Sequence, residues 1–259
     1  MDLQMKGKRA IVTGGTAGIG LAIARVLQEE GVEVTIPGRA RKKLDETLAT
    51  LSGKARGIEA DLGTAEGAAK LIEQVPETDI LVNNLGIYEP KNFTDISDEE
   101  WLRLFEVNVL SGIRLSRHYF PKMLANGWGR VIFLSSESGI MTPGEMMHYG
   151  MTKTAQLAVS RGMAELTKGT KVTVNAVLPG PTRSEGIVGF LQSVASSPNA
   201  TPEQAEKEFF HNYRGSSLLQ RLIEASEVAT LVAYVASPLS AATNGATLRV
   251  EGGLLRSIA

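Results

Sequence analysis

The chain has 259 residues, 27 basic against 28 acidic, and no cysteine. That length suits a single large α/β domain, and the even charge balance argues against a nucleic-acid surface or a polybasic membrane surface. Without cysteine, disulfides, thiolate chemistry and cysteine-ligated zinc are excluded, and the scattered His118, His148 and His211 make no histidine-rich metal site. No apolar run approaches a membrane span and residues 1–6 lack a secretory apolar core, so a cytoplasmic protein is expected.

Along the chain, short apolar runs alternate with longer segments of helical period. Arg9 to Thr13 reads as a buried strand, and a helix follows from Gly18 to Glu30. Glu33 to Ile36 is a second strand, Arg41 to Leu51 a helix, and Ile58 to Asp61 the end of a third strand. Asp79 to Asn83, Arg130 to Leu134, Lys171 to Leu178 and Thr247 to Val250 complete seven strands, with helices at Glu99 to Met123 and Tyr149 to Thr167. This alternation predicts a doubly wound, seven-stranded, mostly parallel sheet with helices on both faces, in a single domain over residues 1–259. One stretch, 184–222, breaks the rhythm. It shows no strand, carries Pro198 and Pro202, and reads as helical only over Glu203 to Tyr213, which suggests a lid over a ligand cleft.

Between the first strand and the first helix stands Thr13-Gly-Gly-Thr-Ala-Gly-Ile-Gly20. Gly14, Gly18 and Gly20 permit a tight turn and close backbone approach, so that free amides at the helix start face an anion. The turn lacks the Gly-Lys-Ser/Thr ending of a nucleotide-hydrolysing loop, and its strand–turn–helix setting is that of a dinucleotide fingerprint. At the end of the second strand, Pro37-Gly-Arg39 offers no carboxylate for ribose hydroxyls. Arg39 instead suits a ribose 2′-phosphate, with Arg41, Lys42 and Lys43 nearby, which favours NADP(H) and leaves NAD(H) as the alternative.

Further on, Tyr149 and Lys153 are four residues apart on one predicted helix, and Ser136 lies upstream. Positions i and i+4 share a helix face, so an ammonium near the phenol favours the phenolate and lowers the tyrosine pKa toward a useful general acid or base. A serine hydroxyl opposite would hold a substrate oxygen.

In this order the motifs resemble the short-chain dehydrogenase/reductase family over nearly the whole chain. The glycine turn matches at Thr13 to Gly20, the adenine-side pair at Asp61-Leu62, and the Asn-Asn-Ala-Gly turn at Asn83-Asn84-Leu85-Gly86. The helix asparagine matches Asn108, the serine Ser136, and the Tyr-x-x-x-Lys motif Tyr149 and Lys153. Pro179-Gly180 follows the sixth strand, and Glu251-Gly252-Gly253 stands for a C-terminal Asp-Gly-Gly. The resemblance implies an oxidoreductase passing hydride between a nicotinamide and a carbonyl or secondary-alcohol substrate. Tyr149 would be its general acid and base, Lys153 would lower the Tyr149 pKa and bind the ribose, and Ser136 would hold the substrate oxygen. Asn108 would carry a water linking Lys153 to solvent. The resemblance further implies cofactor contacts from Gly14, Thr16, Gly18, Ile19, Gly20, Arg39, Asp61, Leu62, Asn84, Gly86, Tyr149, Lys153, Pro179, Gly180 and Thr182. A homodimer or homotetramer is implied as well.

Three positions depart from the pattern. Leu85 replaces the usual alanine, with room to narrow the pocket; Ser184 stands where threonine is common; Ala17 stands where many NADP-preferring members carry a basic residue. Glu137, Glu145, Met146 and Met147 lie between Ser136 and Tyr149, where they would either form one wall of the pocket or, the preferred reading, pack as an ordinary loop, and Glu89 reads as a solvated carboxylate. His148, Trp101 and Trp128 read as packing residues. Substrates compatible with the pattern include a 3-oxoacyl thioester, a secondary alcohol, a sugar and a polycyclic ketone. The long 184–222 stretch and its apolar Ile187, Val188, Phe190 and Leu191 favour a partly apolar ligand other than a carrier-bound one. A non-catalytic dinucleotide sensor is the rival from another class, and a Rossmann-like methyltransferase a third reading.

Overall fold

The computed structural model describes residues 2–258. Its seven strands are β1 Arg9–Val12, β2 Glu33–Gly38, β3 Ala55–Glu59, β4 Ile80–Asn83, β5 Gly129–Leu134, β6 Val172–Pro179 and β7 Thr247–Val250. They form one sheet in the order β3-β2-β1-β4-β5-β6-β7, and every neighbouring pair is parallel. The strands match the sequence reading within a few residues, and the sheet is parallel throughout rather than mostly so. Nine α-helices accompany them among the described residues: α1 Gly18–Glu29, α2 Arg41–Ala49, α3 Ala65–Gln74, α4 Asp98–Phe105, α5 Ser111–Ala125, α6 Met147–Glu165, α7 Glu185–Val194, α8 Pro202–Tyr213 and α9 Ala225–Ala236.

Strand side chains alternate between two cores because the pleat has a period of two. Ala10 and Val12 of β1 enter one core and Ile11 the other. In the first core, Ile23 and Leu27 of α1, one helical turn apart, meet Val228 and Val232 of α9 over the sheet. In the second, Leu71 of α3 meets Leu115, Tyr119 and Met123 of α5. Ile23, Leu27, Leu71 and Leu115 show no exposed surface, and each such burial stabilises the fold by ~1.5–3 kcal/mol.

The stretch 184–222 holds two helices rather than the one expected. Ser184 accepts a hydrogen bond from the Ile187 amide and so caps α7, whose apolar positions at helical spacing pack on α8. Thr201 and Gln204 make a reciprocal cap at the start of α8, with Pro202 at its first position. Together they form a third, smaller cluster of Leu191, Ala205, Phe209, Phe210 and Leu222, separate from the two sheet cores. The helix expected over Glu99 to Met123 is also interrupted. A π-turn at Glu106–Leu110 joins α4 to α5, and Asn108 sits within it.

The strand order reverses between β1 and β4, since β1 connects outward to β2 and β4 outward to β5. Crevices at such a switch point, beyond the carboxyl ends of the strands, are where open α/β sheets take ligands.

Candidate active site

At the carboxyl end of β1, Gly14 and Gly18 have φ of +63° and +53°, a left-handed conformation that side chains disfavour. Gly20 is required for a different reason. A Cβ there would lie 2.3 Å from the Gly14 carbonyl oxygen and 2.6 Å from Asn84 Nδ2. The turn is tied to the end of β4, because Thr13 Oγ1 accepts the Asn84 and Leu85 amides at 2.8 and 2.9 Å while Asn84 Nδ2 donates to the Thr13 carbonyl at 2.9 Å. Thr16 lies in the same turn, and its carbonyl accepts a hydrogen bond from Thr47 Oγ1 of α2. The helix that follows is left open. Ala17 supplies no side-chain cap to α1, and its first turn holds no acidic residue. The first amides of a helix have no intrahelical partner, so this end offers donors and positive potential to an anion.

The second anion-facing end is α2. Ala40 provides no side-chain cap, and no acidic residue lies in the first turn, which reads Arg41-Lys42-Lys43. Arg41 is drawn into an ion pair with Asp45 at 2.7 Å. Arg39 is exposed and has no ion-pair or hydrogen-bond partner among the described residues. Beyond β3, Asp61 is exposed and its Oδ1 accepts the Gly63 amide at 3.0 Å. Leu62 is buried in the second core, so only its backbone faces outward. Arg39, Asp61 and Leu62 thus stand beside one another at the carboxyl ends of β2 and β3, outside the central cleft.

That cleft, of about 220 Å³, lies over the ends of β4, β5 and β6. It gathers Ile19, Asn84, Gly86, Ser136, Tyr149, Lys153, Pro179, Gly180 and Thr182. Gly180 is held against the chain beyond β7, where a Cβ would come 2.9 Å from Glu251 Cα. Glu251 in turn accepts the Leu254 and Leu255 amides. Thr182 donates to the Gly180 carbonyl at 2.9 Å. The start of α7 closes on the glycine turn, since a Cβ on Gly18 would lie 3.7 Å from Ser184 Cβ. Leu85 does not line the cleft; it packs against the second core, so the expected narrowing of the pocket does not arise.

Tyr149 and Lys153 project from one face of α6, with Lys153 Nζ 5.6 Å from the Tyr149 ring centre. Lys153 is buried, donating to the Leu134 carbonyl at 2.8 Å and to Gln156 Oε1 at 3.3 Å. Burial in low dielectric lowers its pKa to about 8. In this cleft the Tyr149 phenol is shifted upward from its free value. Burial of the phenol and the nearby Glu137 carboxylate push it upward, and the neighbouring Ser136 hydroxyl only partly offsets them. Glu137 itself is buried, which raises its own carboxyl pKa, so the charge felt by Tyr149 fades where Glu137 is neutral and the burial effect remains.

Asn108 lies beneath this pair. Its side chain is spent on positioning: Oδ1 accepts the Ile87 amide at 2.8 Å, and Nδ2 donates to the Ile87 carbonyl and to Thr152 Oγ1 at 2.9 and 3.0 Å. Its main-chain carbonyl, within the π-turn, accepts Gln156 Nε2 at 2.6 Å. Gln156 therefore spans from Lys153 to the Asn108 carbonyl. It was legible as a polar residue three positions beyond Lys153 on the same helix face.

Ser136 Oγ accepts the Ser138 amide at 3.1 Å and donates to Glu137 Oε2 at 2.5 Å. Glu137 is buried and lines the cleft, so of its two sequence readings the pocket wall holds rather than ordinary loop packing. Arg214, missed in the sequence, reaches the cleft from beyond α8 and is also buried. His148 packs edge-on against Trp101, and Glu89 pairs with Arg103 at the surface. Among the described residues no cluster of three or more histidine or acidic side chains is arranged to hold a metal, and no helix is long and apolar enough to cross a membrane.

A family model described as short chain dehydrogenase matches residues 8–190. Two relatives from Bacillus subtilis (strain 168), the uncharacterized oxidoreductases YvaG and YvrD, are 50% and 46% identical to the chain, each alignment covering all of both chains. Among solved structures, that of L-sorbose reductase from Gluconobacter frateurii, complexed with NADPH and L-sorbose, superposes with a TM-score of 0.93 at 25% identity and full coverage of both chains.

Proposed function

This chain belongs to the short-chain dehydrogenase family of oxidoreductases, and on that premise we propose that it is an NADP(H)-dependent carbonyl reductase or secondary-alcohol dehydrogenase with Tyr149 as its general acid and base. The observation that carries this reading is the meeting of Ser136, Tyr149 and Lys153 in one cleft with Ile19 of the glycine turn and the Pro179-Gly180 segment.

The residues fit a dinucleotide. The steric cradle of Gly14 and Gly20, the uncapped start of α1 and the backbone near Pro179, Gly180 and Thr182 suit a pyrophosphate and a carboxamide. Arg39 and the uncapped, acid-free start of α2 suit a 2′-phosphate, which supports NADP(H) over NAD(H). Asp61 and the Leu62 backbone flank the adenine position. The bound cofactor supplies or accepts the hydride at the substrate carbon.

The protein's part is proton placement. During reduction, Tyr149 gives its phenolic proton to the carbonyl oxygen as the carbon gains hydride, leaving an alcohol. Ser136, once its hydroxyl turns from Glu137, donates to that oxygen and limits its movement. Lys153 holds the ribose and stabilises the transient phenolate. Gln156, bonded to Lys153 and to the Asn108 carbonyl, fixes the ammonium in its seat. The 184–222 stretch acts as a lid, because Ile187, Phe190, Phe209 and Arg214 line the cleft from it. Homo-oligomerisation, with Leu102 and Leu166 exposed on the outer helices, and a cytoplasmic setting belong to the same reading. The test is the initial rate of NADPH and NADH oxidation over a panel of an acetoacetyl thioester, simple ketones, ketoses and a steroid ketone. A rate with at least one carbonyl, faster with NADPH and abolished in Tyr149→Phe, supports the reading. Turnover that survives Tyr149→Phe overturns it.

A further inference from the structure

Ser136 and Glu137 share one hydrogen-bond gap, and the owner of the proton in it decides what Ser136 can do. Glu137 is 5% exposed and lines the cleft beside Ser136. Its Oε2 lies 2.5 Å from Ser136 Oγ, and its Oε1 accepts Ser138 Oγ at 3.2 Å. Ser136 Oγ also accepts the Ser138 amide at 3.1 Å. Both sides of the gap are therefore held, Oγ by the amide and the carboxyl group by Ser138 Oγ. Two oxygens this close stand at the short end of O–H···O bonding, so a hydrogen lies between them.

A serine hydroxyl has one proton to donate and two lone pairs to accept with. With Glu137 ionised, only the Ser136 proton can fill the gap, and Ser136 has none left for a substrate oxygen. Turning the hydroxyl away would set a carboxylate against an oxygen lone pair, which is repulsive. With Glu137 neutral, its own O–H fills the gap by donating to Oγ. The Ser138 amide and the Glu137 O–H then occupy both lone pairs, and the Ser136 proton is left for the cleft that Ser136 lines. The surroundings favour the neutral form. Burial raises the Glu137 carboxyl pKa, and the bonds from Ser136 and Ser138 and the charge of Arg214 only partly offset it. Arg214 Nε, from beyond α8, stands 3.9 Å from Glu137 Oε1, and Glu145 Oε1 lies 3.6 Å from the same guanidinium and competes for its charge. From α6, Tyr149 and Lys153 feel the charge of Glu137, and a carboxylate there opposes the phenolate that forms on Tyr149 during reduction. Strand β6, also packed on this loop, carries no charged residue.

We propose that Glu137 is a positioning residue that works as a neutral carboxylic acid, donating its hydrogen bond to Ser136 and so freeing the Ser136 hydroxyl to hold the substrate oxygen. This rests on the reductase reading above and deepens it, by naming the group that turns Ser136 toward the substrate. Glu137 keeps its proton throughout; the proton that reaches the product oxygen is that of Tyr149. Glu137, Ser136 and the substrate oxygen then form a run of hydrogen bonds donated in one direction, each polarising the next.

The test pairs a pH profile with infrared difference spectra of the NADPH-loaded protein. The stretch of a protonated carboxyl group lies clear of the backbone amide bands, and subtracting the Glu137→Gln spectrum isolates the band of Glu137. The rate of carbonyl reduction is expected to follow that band: where the band fades with rising pH, kcat/KM falls roughly tenfold per pH unit. In Glu137→Gln, whose amide N–H donates to Ser136 at every pH, that limb is expected to vanish. Glu137→Leu donates nothing and is expected to run roughly tenfold below Glu137→Gln. No band at the pH of fastest reduction, a rate that holds where the band has gone, or a limb that survives in Glu137→Gln and so belongs to Lys153, overturns the proposal. If the unmodified protein reduces no carbonyl, the reductase reading fails and the spectra alone decide the Glu137–Ser136 bond. A Glu137 band that shifts in Ser136→Ala supports it, and a band that is absent or unmoved overturns it. Thermal melting establishes that the variants are folded; where Glu137→Gln is not, the difference between the unmodified protein and Ser136→Ala reads the same band.

Discussion

The two walls of the cleft are built on different principles. The cofactor-side wall is mostly backbone: Gly14 and Gly18 in left-handed conformation, Gly20 against the Gly14 carbonyl, and the open first turn of α1. Its anchors are short, such as the 2.8 and 2.9 Å bonds from the Asn84 and Leu85 amides to Thr13. The opposite wall is mostly side chains, from the Ser136–Tyr149 loop and from α7 and α8, and its ionic contacts are long, 3.9 and 3.6 Å around Arg214. A wall of backbone donors suits a ligand whose shape is shared by many proteins. A wall of loosely paired side chains on a separate small core suits the ligand particular to this one.

Substitutions on each side sharpen the contrast. Phe209 belongs to the third cluster and seats Arg214, so Phe209→Ala is expected to destabilise that cluster by ~3–5 kcal/mol, the usual range for a buried phenylalanine. Because the cluster is separate from the sheet cores, the loss appears as a raised carbonyl KM and faster local hydrogen exchange in α7 and α8, with NADPH affinity retained. Equal losses of carbonyl and cofactor binding would join the two walls into one unit. On the cofactor wall, Arg39→Ala would remove the charged hydrogen bond proposed to the 2′-phosphate, which is expected to weaken NADPH by ~1.5–3 kcal/mol and to leave NADH unchanged. Titration of both dinucleotides decides this, and parallel weakening contradicts the phosphate role.

Beneath both walls, Lys153 gives a pH signature. Its pKa falls from 10.5 to about 8 in the folded protein, so between those values the unfolded chain holds a proton that the folded one has released. Stability therefore rises with pH from about 8 toward 10, by about 2 kcal/mol, and the buried charge weighs on the fold below that window. Above pH 10 the raised pKa of Tyr149 works the opposite way, since the unfolded phenol ionises first. Thermal melting against pH is expected to lose the rise in Lys153→Met, and superimposable slopes count against the assignment. The smallest effect is at Gln156, where Gln156→Leu takes one partner each from Lys153 and the Asn108 carbonyl. A fall in kcat of roughly tenfold is expected, with an altered kcat pH profile, unchanged carbonyl KM, and partial recovery in Gln156→Glu. A change in KM alone would give Gln156 a merely structural role.

The same contrast explains what the sequence makes legible. The glycine turn and the Tyr149–Lys153 spacing are local: each depends on residues within one turn of helix or loop, and the strands, buried on both faces, stand out as short apolar runs that can be found within a few positions. Helix α7 was missed, although Ser184 followed by Ile187, Val188, Phe190 and Leu191 carries a cap and an apolar face. Glu137 and Arg214 are 77 positions apart, and nothing near either announces the other. The upward shift of Tyr149 depends on burial and on Glu137, which only the folded chain brings to bear. Gln156 was within reach of helical spacing and needed only the question of what else shares the face of Lys153.

The account stands most directly on Tyr149. The measurement is a single-turnover mixing experiment, in which protein loaded with NADPH meets a carbonyl that the unmodified chain reduces, and Tyr149→Phe is run beside it. The nicotinamide signal is expected to decay ~10²–10⁴-fold more slowly in the variant while NADPH affinity stays within about twofold. Decay at the unmodified rate, or a loss confined to NADPH binding, would contradict Tyr149 as the proton donor.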